Sequence, residues 1–283
     1  MNYFNRLIIS VTILTAMLNG VAYSQDSNKD PWTGKYPMSF FRRARSANTV
    51  GKDKLSIGLK YISYGADDIF VDGGYCDLPE ESKFDKFMTV TTLKYGWAEN
   101  HHIALGIPYT WVDFENSKKE IDSNGFANIF VFEKWKFLQE TKICPAMAFD
   151  VWYFFPTGDT DEKLGNSDSS IRINTEISKA WKYMSAHLMP GYLWNIDGGV
   201  DVGLMDAALL VPLNKKFLLG LEYNYTNKDD KDMGDCHDIL PGFIFKPFKG
   251  ASVKLAAIIN IDSDYKYRDE VGIAAKAFYK IAL

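Results

Sequence analysis

Beyond its first two dozen residues, the 283-residue chain has no apolar run approaching the roughly 20 residues that a transmembrane helix needs. If it enters a membrane, it does so as strands. It also has little net charge, −4 at pH 7, and a mildly acidic surface gives no reason to expect nucleic acid as a partner. Cysteines number three and histidines four. The acidic stretches 159–162 and 229–235 miss the spacing of an EF-hand loop and read as solvated loops. No metal or organic cofactor is called for. What the chain does have is apolar and aromatic side chains, 47% and 15% of all residues.

These residues recur at every second position. In the stretch 125–159, Ile129, Val131, Trp135 and Phe137 share one phase of a first arm. After a polar turn, Met147, Phe149, Val151, Tyr153 and Phe155 alternate with Ala148, Asp150, Trp152 and Phe154. A period of two predicts strands, and arms of about ten residues with one apolar face predict one hairpin of a membrane-spanning barrel.

Residues 1–24 read as a secretory signal peptide, with Arg6, an apolar stretch over 7–18 and Ala22-Tyr23-Ser24 as the cleavage site. A single-pass anchor is the alternative, and the apolar stretch is short for one. Residues 25–53 have no clear period; they carry the basic run Arg42-Arg43-Ala44-Arg45 and read as a periplasmic N-terminal segment at or in the barrel mouth. A basic run is by default a solvated face.

Residues 54–283 read as the barrel. Strands are expected over 55–64, 87–97, 103–112, 125–137, 144–155, 170–181, 184–194, 203–213, 217–226, 238–246, 251–261 and 271–283. That is an all-β, transmembrane, up-and-down antiparallel β-barrel of about twelve strands. Short and long connections alternate without exception, as they do in outer-membrane barrels whose turns are periplasmic and whose loops are extracellular. Both termini then lie in the periplasm of a Gram-negative bacterium. Aromatic residues gather at both ends of the apolar phase, Tyr109, Trp111, Tyr192 and Trp194 at the long-loop end and Trp97, Trp135, Trp181 and Phe217 at the other, as expected of two interfacial girdles.

The alternation runs to the last residue, Leu283, and resembles the C-terminal strand that the barrel-assembly machinery reads. Four short motifs carry a wider resemblance: Leu105-Gly106-Ile107-Pro108-Tyr109, Gly125-Phe126-Ala127-Asn128, Phe155-Pro156-Thr157-Gly158-Asp159 and Pro241-Gly242-Phe243. With them the chain from about residue 55 onward resembles the transporter-like outer-membrane family called MetA-pathway of phenol degradation. The resemblance implies a barrel and uptake of small, aromatic or hydrophobic molecules; it brings no binding residues with it.

If the apolar phase meets lipid, the other phase faces the lumen and collects Lys94, Asp150, Trp152, Phe154, Arg172, Asn174, Glu176, His187, Asp206, Glu222, Asn224, Lys254, Asn260 and Lys276. Among these, Asp150, Arg172 and Glu176 are expected at similar heights. They form either a charged constriction with His187 nearby and Trp152 and Phe154 as an apolar step, or a salt-bridged network that fills and stiffens the barrel. Glu222 is a further lumen candidate. Glu133 and Lys179 break the pattern; either they meet the lipid near the short turns or a bulge turns one inward. Cys76 and Cys236 fall in loops at one end and either pair as a disulfide or, with Cys144, remain thiols.

The function this predicts is a passive channel for small-molecule solutes, embedded in outer-membrane lipid and lipopolysaccharide. The alternatives are a non-conducting barrel that serves structurally or binds a ligand or partner, and an outer-membrane lipid hydrolase. For the last, His237 has the phase and height used by outer-membrane phospholipases. The only nearby serine, Ser263, falls in a loop, whereas nucleophile and base must come within about 3 Å. The chain is therefore read as not an enzyme.

Overall fold

A computed structural model describes residues 37–282 except 67, 72–73, 78–82, 117–118, 163, 231–232, 264–266 and 269–270. The expected signal peptide and the first part of the N-terminal segment lie outside the described residues. The strands, in chain order, are β1 (Lys54–Ala66), β2 (Asp68–Val71), β3 (Gly74–Asp77), β4 (Lys83–Ala98), β5 (His101–Asn116), β6 (Lys119–Phe126), β7 (Phe130–Leu138), β8 (Ala146–Phe154), β9 (Ser170–Ala180), β10 (Ser185–Asn195), β11 (Val202–Pro212), β12 (Phe217–Asp230), β13 (Met233–Phe245), β14 (Ala251–Ser263), β15 (Tyr267–Arg268) and β16 (Val271–Ala282).

Twelve strand positions close into an antiparallel barrel, each strand beside its sequence neighbour. Pairing of β4 with β5, from Lys83↔Glu115 to Ala98↔His101, completes the wall. The last strand meets the first along Lys54↔Ala282 to Tyr64↔Gly272. Among the described residues there is no helix. The fourth position is shared by two pieces, since β7 pairs with β5 over His101–Gly106 and β6 pairs with it over Tyr109–Asn116. The chain leaves the ladder between them, at 127–129.

Several stretches expected as long loops are strands that continue past the wall. Strands β5 and β6 form a hairpin out to Asn116↔Lys119, β12 and β13 one out to Asp230↔Met233, and β2, β3 and β15 a separate small sheet. Cys76 lies in that small sheet. Its side chain, and with it the Cys76–Cys236 pairing, lies outside the described residues. Cys236 is half-buried with Asn260 Nδ2 3.4 Å from its Sγ, and Cys144 is exposed.

The barrel is apolar on the outside and charged within. Exposed residues include Leu105, Leu188, Leu209, Leu219, Leu221 and Leu255, and the aromatic rings Trp97, Trp135, Trp181, Tyr192 and Trp194. The buried set includes Lys94, Lys134, Asp150, Glu176, Asp206, Glu222, Lys254 and Lys276. A soluble protein has the reverse arrangement; this is the pattern of a barrel that spans a membrane, with lipid in place of water outside. Glu133 and Lys179 are not turned inward. Glu133 is exposed and pairs with His101 at 3.2 Å, and Lys179 donates to the carbonyls of Thr141 and Lys142 at 2.5 and 3.1 Å in a short turn.

The basic run departs from expectation. Residues 37–50 are not a solvated stretch; they run inside the barrel, where Phe40, Phe41, Ala44, Arg45, Ser46, Ala47 and Val50 are buried. Phe40, Phe41 and Ala44 pack with Leu210, Leu218, Leu240, Ile244 and Ile258 of the wall into the main apolar cluster of the molecule. A barrel of about eight strands is filled by its own side chains and one of about 16–18 holds an aqueous channel; in this barrel of twelve the segment occupies part of the interior.

Candidate functional site: a charged lumen, an inserted segment and a cavity

Because wall neighbours are sequence neighbours, the inward charges can be followed round the barrel. Asp150, Glu176, Asp206, Glu222 and Asp238 lie on β8, β9, β11, β12 and β13. Lys254, Lys276, Lys60 and Lys94 lie on β14, β16, β1 and β4, so one arc of the lumen is acidic and the next is basic.

The inserted segment is held chiefly on the acidic arc. Arg42 pairs with Asp238. Arg43 pairs with Asp206 at 2.9 Å and donates to Thr226 and to the Tyr225 carbonyl. Arg45 pairs with Asp150 and Glu176, both at 2.9 Å, and its guanidinium lies 4.5 Å from the Trp152 ring centre. Lys134 also reaches Glu176, at 2.6 Å, and donates to the Ser46 carbonyl at 3.0 Å. The Glu222 carboxylate accepts the backbone N–H groups of Phe41, Arg42, Arg43 and Ala44 at 2.6–3.2 Å. Successive N–H groups curled round one anion form a nest, and charge-assisted bonds of this kind are about twice as strong as neutral ones. From the basic arc, Lys254 and Lys276 donate to the carbonyls of Ser39 and Arg42.

The expected site residues therefore divide into two groups. Asp150, Glu176 and Glu222 hold the inserted chain. Trp152, Phe154 and Arg172 face a cavity, the Arg172 guanidinium lying 4.4 Å from the Trp152 ring centre and 6.0 Å from that of Phe154. His187 stands apart from Arg172; its ring nitrogens are each 2.9 Å from a hydroxyl, Ser178 and Ser185, and it packs on Phe40 at 4.4 Å. Arg45 and Lys134 are central here; the sequence offers Arg45 only as part of a basic run that is by default a solvated face, and it singles out Lys134 for no role. The available signal was five inward carboxylates on neighbouring strands with too few inward bases beside them.

The cavity, about 380 Å³, lies between the inserted segment and the wall from β16 through β9. Its cationic lining is Lys60, Lys86, Lys94, Lys276 and Arg172 from the wall with the three arginines of the segment, and no carboxylate among the described residues lines it. Phe130, Phe132, Trp152, Phe154 and Phe278 supply apolar surface. The connection 155–169 bends in over it, burying Leu164.

Three of the four motifs noted in the sequence meet at this cover. Where the chain leaves the ladder at 127–129, Ala127 N–H donates to Pro108 at 3.1 Å and Ile129 N–H to Thr157 Oγ1 at 2.9 Å. Gly158 N–H donates to Asn128 Oδ1 at 2.9 Å. Gly106 lets Phe130 close over it, since a Cβ there would lie 2.0 Å from the Phe130 ring that faces the cavity and the ring would have to move.

Comparison with solved structures agrees with this architecture. An outer membrane channel from Pseudomonas putida F1 superposes with a TM-score of 0.67 at 10% identity, over 83% of this chain and 98% of that one. The NanC porin gives 0.53 at 9% identity, over 80% and 100%. The beta domain of the Bordetella autotransporter BrkA gives 0.51 at 10% identity, over 81% and 100%. At such identities the likeness is one of fold, and this fold serves more than one task. No family model matches the chain, and no curated protein matches it by sequence.

In the hydrolase alternative, His237 is engaged on its own side of the wall, its Nδ1 2.7 Å from the Tyr223 hydroxyl. The side chain of Ser263 lies outside the described residues.

Proposed function

We propose that the chain is a passive outer-membrane channel for small molecules, of the transporter-like kind its motifs resemble, held closed in this conformation by residues 37–50. Outer-membrane lipid and lipopolysaccharide surround it, and its termini face the periplasm. The observation that carries this reading is how the lumen is filled. A barrel built only to be solid would close its interior with its own wall side chains. Here a separate piece of chain does much of the filling, held on one arc by salt bridges and hydrogen bonds, with a lined cavity beside it.

The test is planar-bilayer conductance of the mature chain against a variant lacking residues 37–50. The deletion should raise conductance several-fold in a barrel that still migrates differently before and after boiling. A folded deletion variant that conducts no better than protein-free bilayer would overturn the channel reading in favour of a non-conducting barrel.

A further inference from the structure

We propose that the lumen cavity binds a small organic anion, a carboxylate on an apolar body about the size of one ring. This deepens the uptake reading and rests on it only for the claim that the bound solute is also the one carried.

Part of the lumen's positive charge is left over. The arginines of the inserted segment have carboxylate partners on the acidic arc. Among the described residues, Lys60, Lys86, Lys94 and Arg172 line the cavity and form no ion pair. Lys94 is 6% exposed, and its ammonium approaches only ring faces, 5.6 Å from the centre of Phe132 and 5.3 Å from that of Phe278. Arg172 Nε is buried with no acceptor among the described residues. Ring faces compensate a desolvated cation weakly, and a buried charge is costly unless it is paired and hydrogen-bonded. An anion in the cavity that both side chains line would offer each of them a partner of opposite charge. Cations concentrated in a space walled by low-dielectric protein raise the local concentration of anions.

The rest of the lining fixes the ligand's other end. The rings of Phe130 and Trp152, 5.0 Å apart, and the side chains of Met88 and Pro108 give the cavity apolar walls. A volume of about 380 Å³ is at the lower end for small-molecule sites, which are mostly apolar with a few placed polar groups. A bare inorganic ion would leave these walls unused.

Isothermal titration of the full mature protein in detergent micelles, at low salt, distinguishes the possibilities with benzoate, benzyl alcohol, benzylammonium and inorganic phosphate as probes. Benzoate should bind and the neutral and cationic analogues should not. Lys94→Met and Arg172→Gln should each weaken benzoate roughly tenfold to a hundredfold, the loss expected for a charge-assisted contact, and Lys94→Arg should restore most of it. Should Lys94→Met fail to fold, judged by gel migration before and after boiling, Arg172→Gln and the wild-type ranking still decide. Benzyl alcohol binding as tightly as benzoate, or phosphate doing so, would overturn the proposal. Binding is read without conduction: a barrel that binds benzoate and never conducts refutes the channel and keeps the site, and one that conducts and ignores benzoate does the opposite.

Discussion

Arg45 is the residue on which the lumen's electrostatics turns. It pairs with two carboxylates that have no exposed surface, Asp150 and Glu176, while its guanidinium lies 4.5 Å from the Trp152 ring centre. Removing one partner of such a group leaves charge buried and uncompensated, which typically costs about 3–5 kcal/mol. Arg45→Ala is therefore expected to lower urea-unfolding stability in lipid vesicles by that order. Adding Asp150→Asn, Glu176→Gln and Lys134→Met to Arg45→Met should recover most of the loss, because both acids and both bases of the network are then neutral; a quadruple variant as unstable as the single one would contradict the account. The inward phase of Asp150 and Glu176 was readable from period-two alternation. Arg45 was not, since Arg42-Arg43-Ala44-Arg45 has no period and a basic run outside a strand looks the same whether water or carboxylates surround it. Only the closed wall, which sets the acidic strands β8 to β13 side by side, shows what the run is for.

Among the elements, the wall strands were legible and the outer connections were not, for one physical reason. A strand inside the membrane must alternate, because one face meets lipid. Past the membrane surface a hairpin has water on both faces and loses that mark, so 113–124 and 227–237 read as loops though β5–β6 and β12–β13 continue through them. The connection 155–169 is different, being shaped by contacts with another element. Gly158 and Gly165 touch each other and Asn128, and a Cβ on Gly165 would lie 2.3 Å from Asn128 Oδ1 and 2.6 Å from Gly158 Cα. Neither backbone can yield without breaking the Gly158 N–H to Asn128 bond. Gly165→Ala should lift this cover from the lumen, making 155–169 more sensitive to limited proteolysis while the wall, checked by gel migration, stays closed. Unchanged proteolysis would mean that the contact does not hold the cover down.

For the whole molecule, the outward face makes the sharpest demand. If lipid is the solvent there, the cost of a charge must depend on depth and not on exposure. Leu255 and Leu213 are both exposed on the outer surface, at 39% and 59%. They differ in height: Leu255 sits on β14 several residues above the turn before it, and Leu213 sits in the turn that follows β11. An arginine on the lipid face costs about 2–4 kcal/mol near the midplane and about 0–1 kcal/mol near the interface. Leu255→Arg should therefore destabilise the barrel by the larger amount in vesicle unfolding, and Leu213→Arg by the smaller, although Leu213 is the more exposed. In water the ranking has no basis, because both substitutions would place a charge on a solvated surface at nearly no cost. Equal and small effects would thus remove the membrane from outside the barrel, and with it the reason for a lumen that carries the charge.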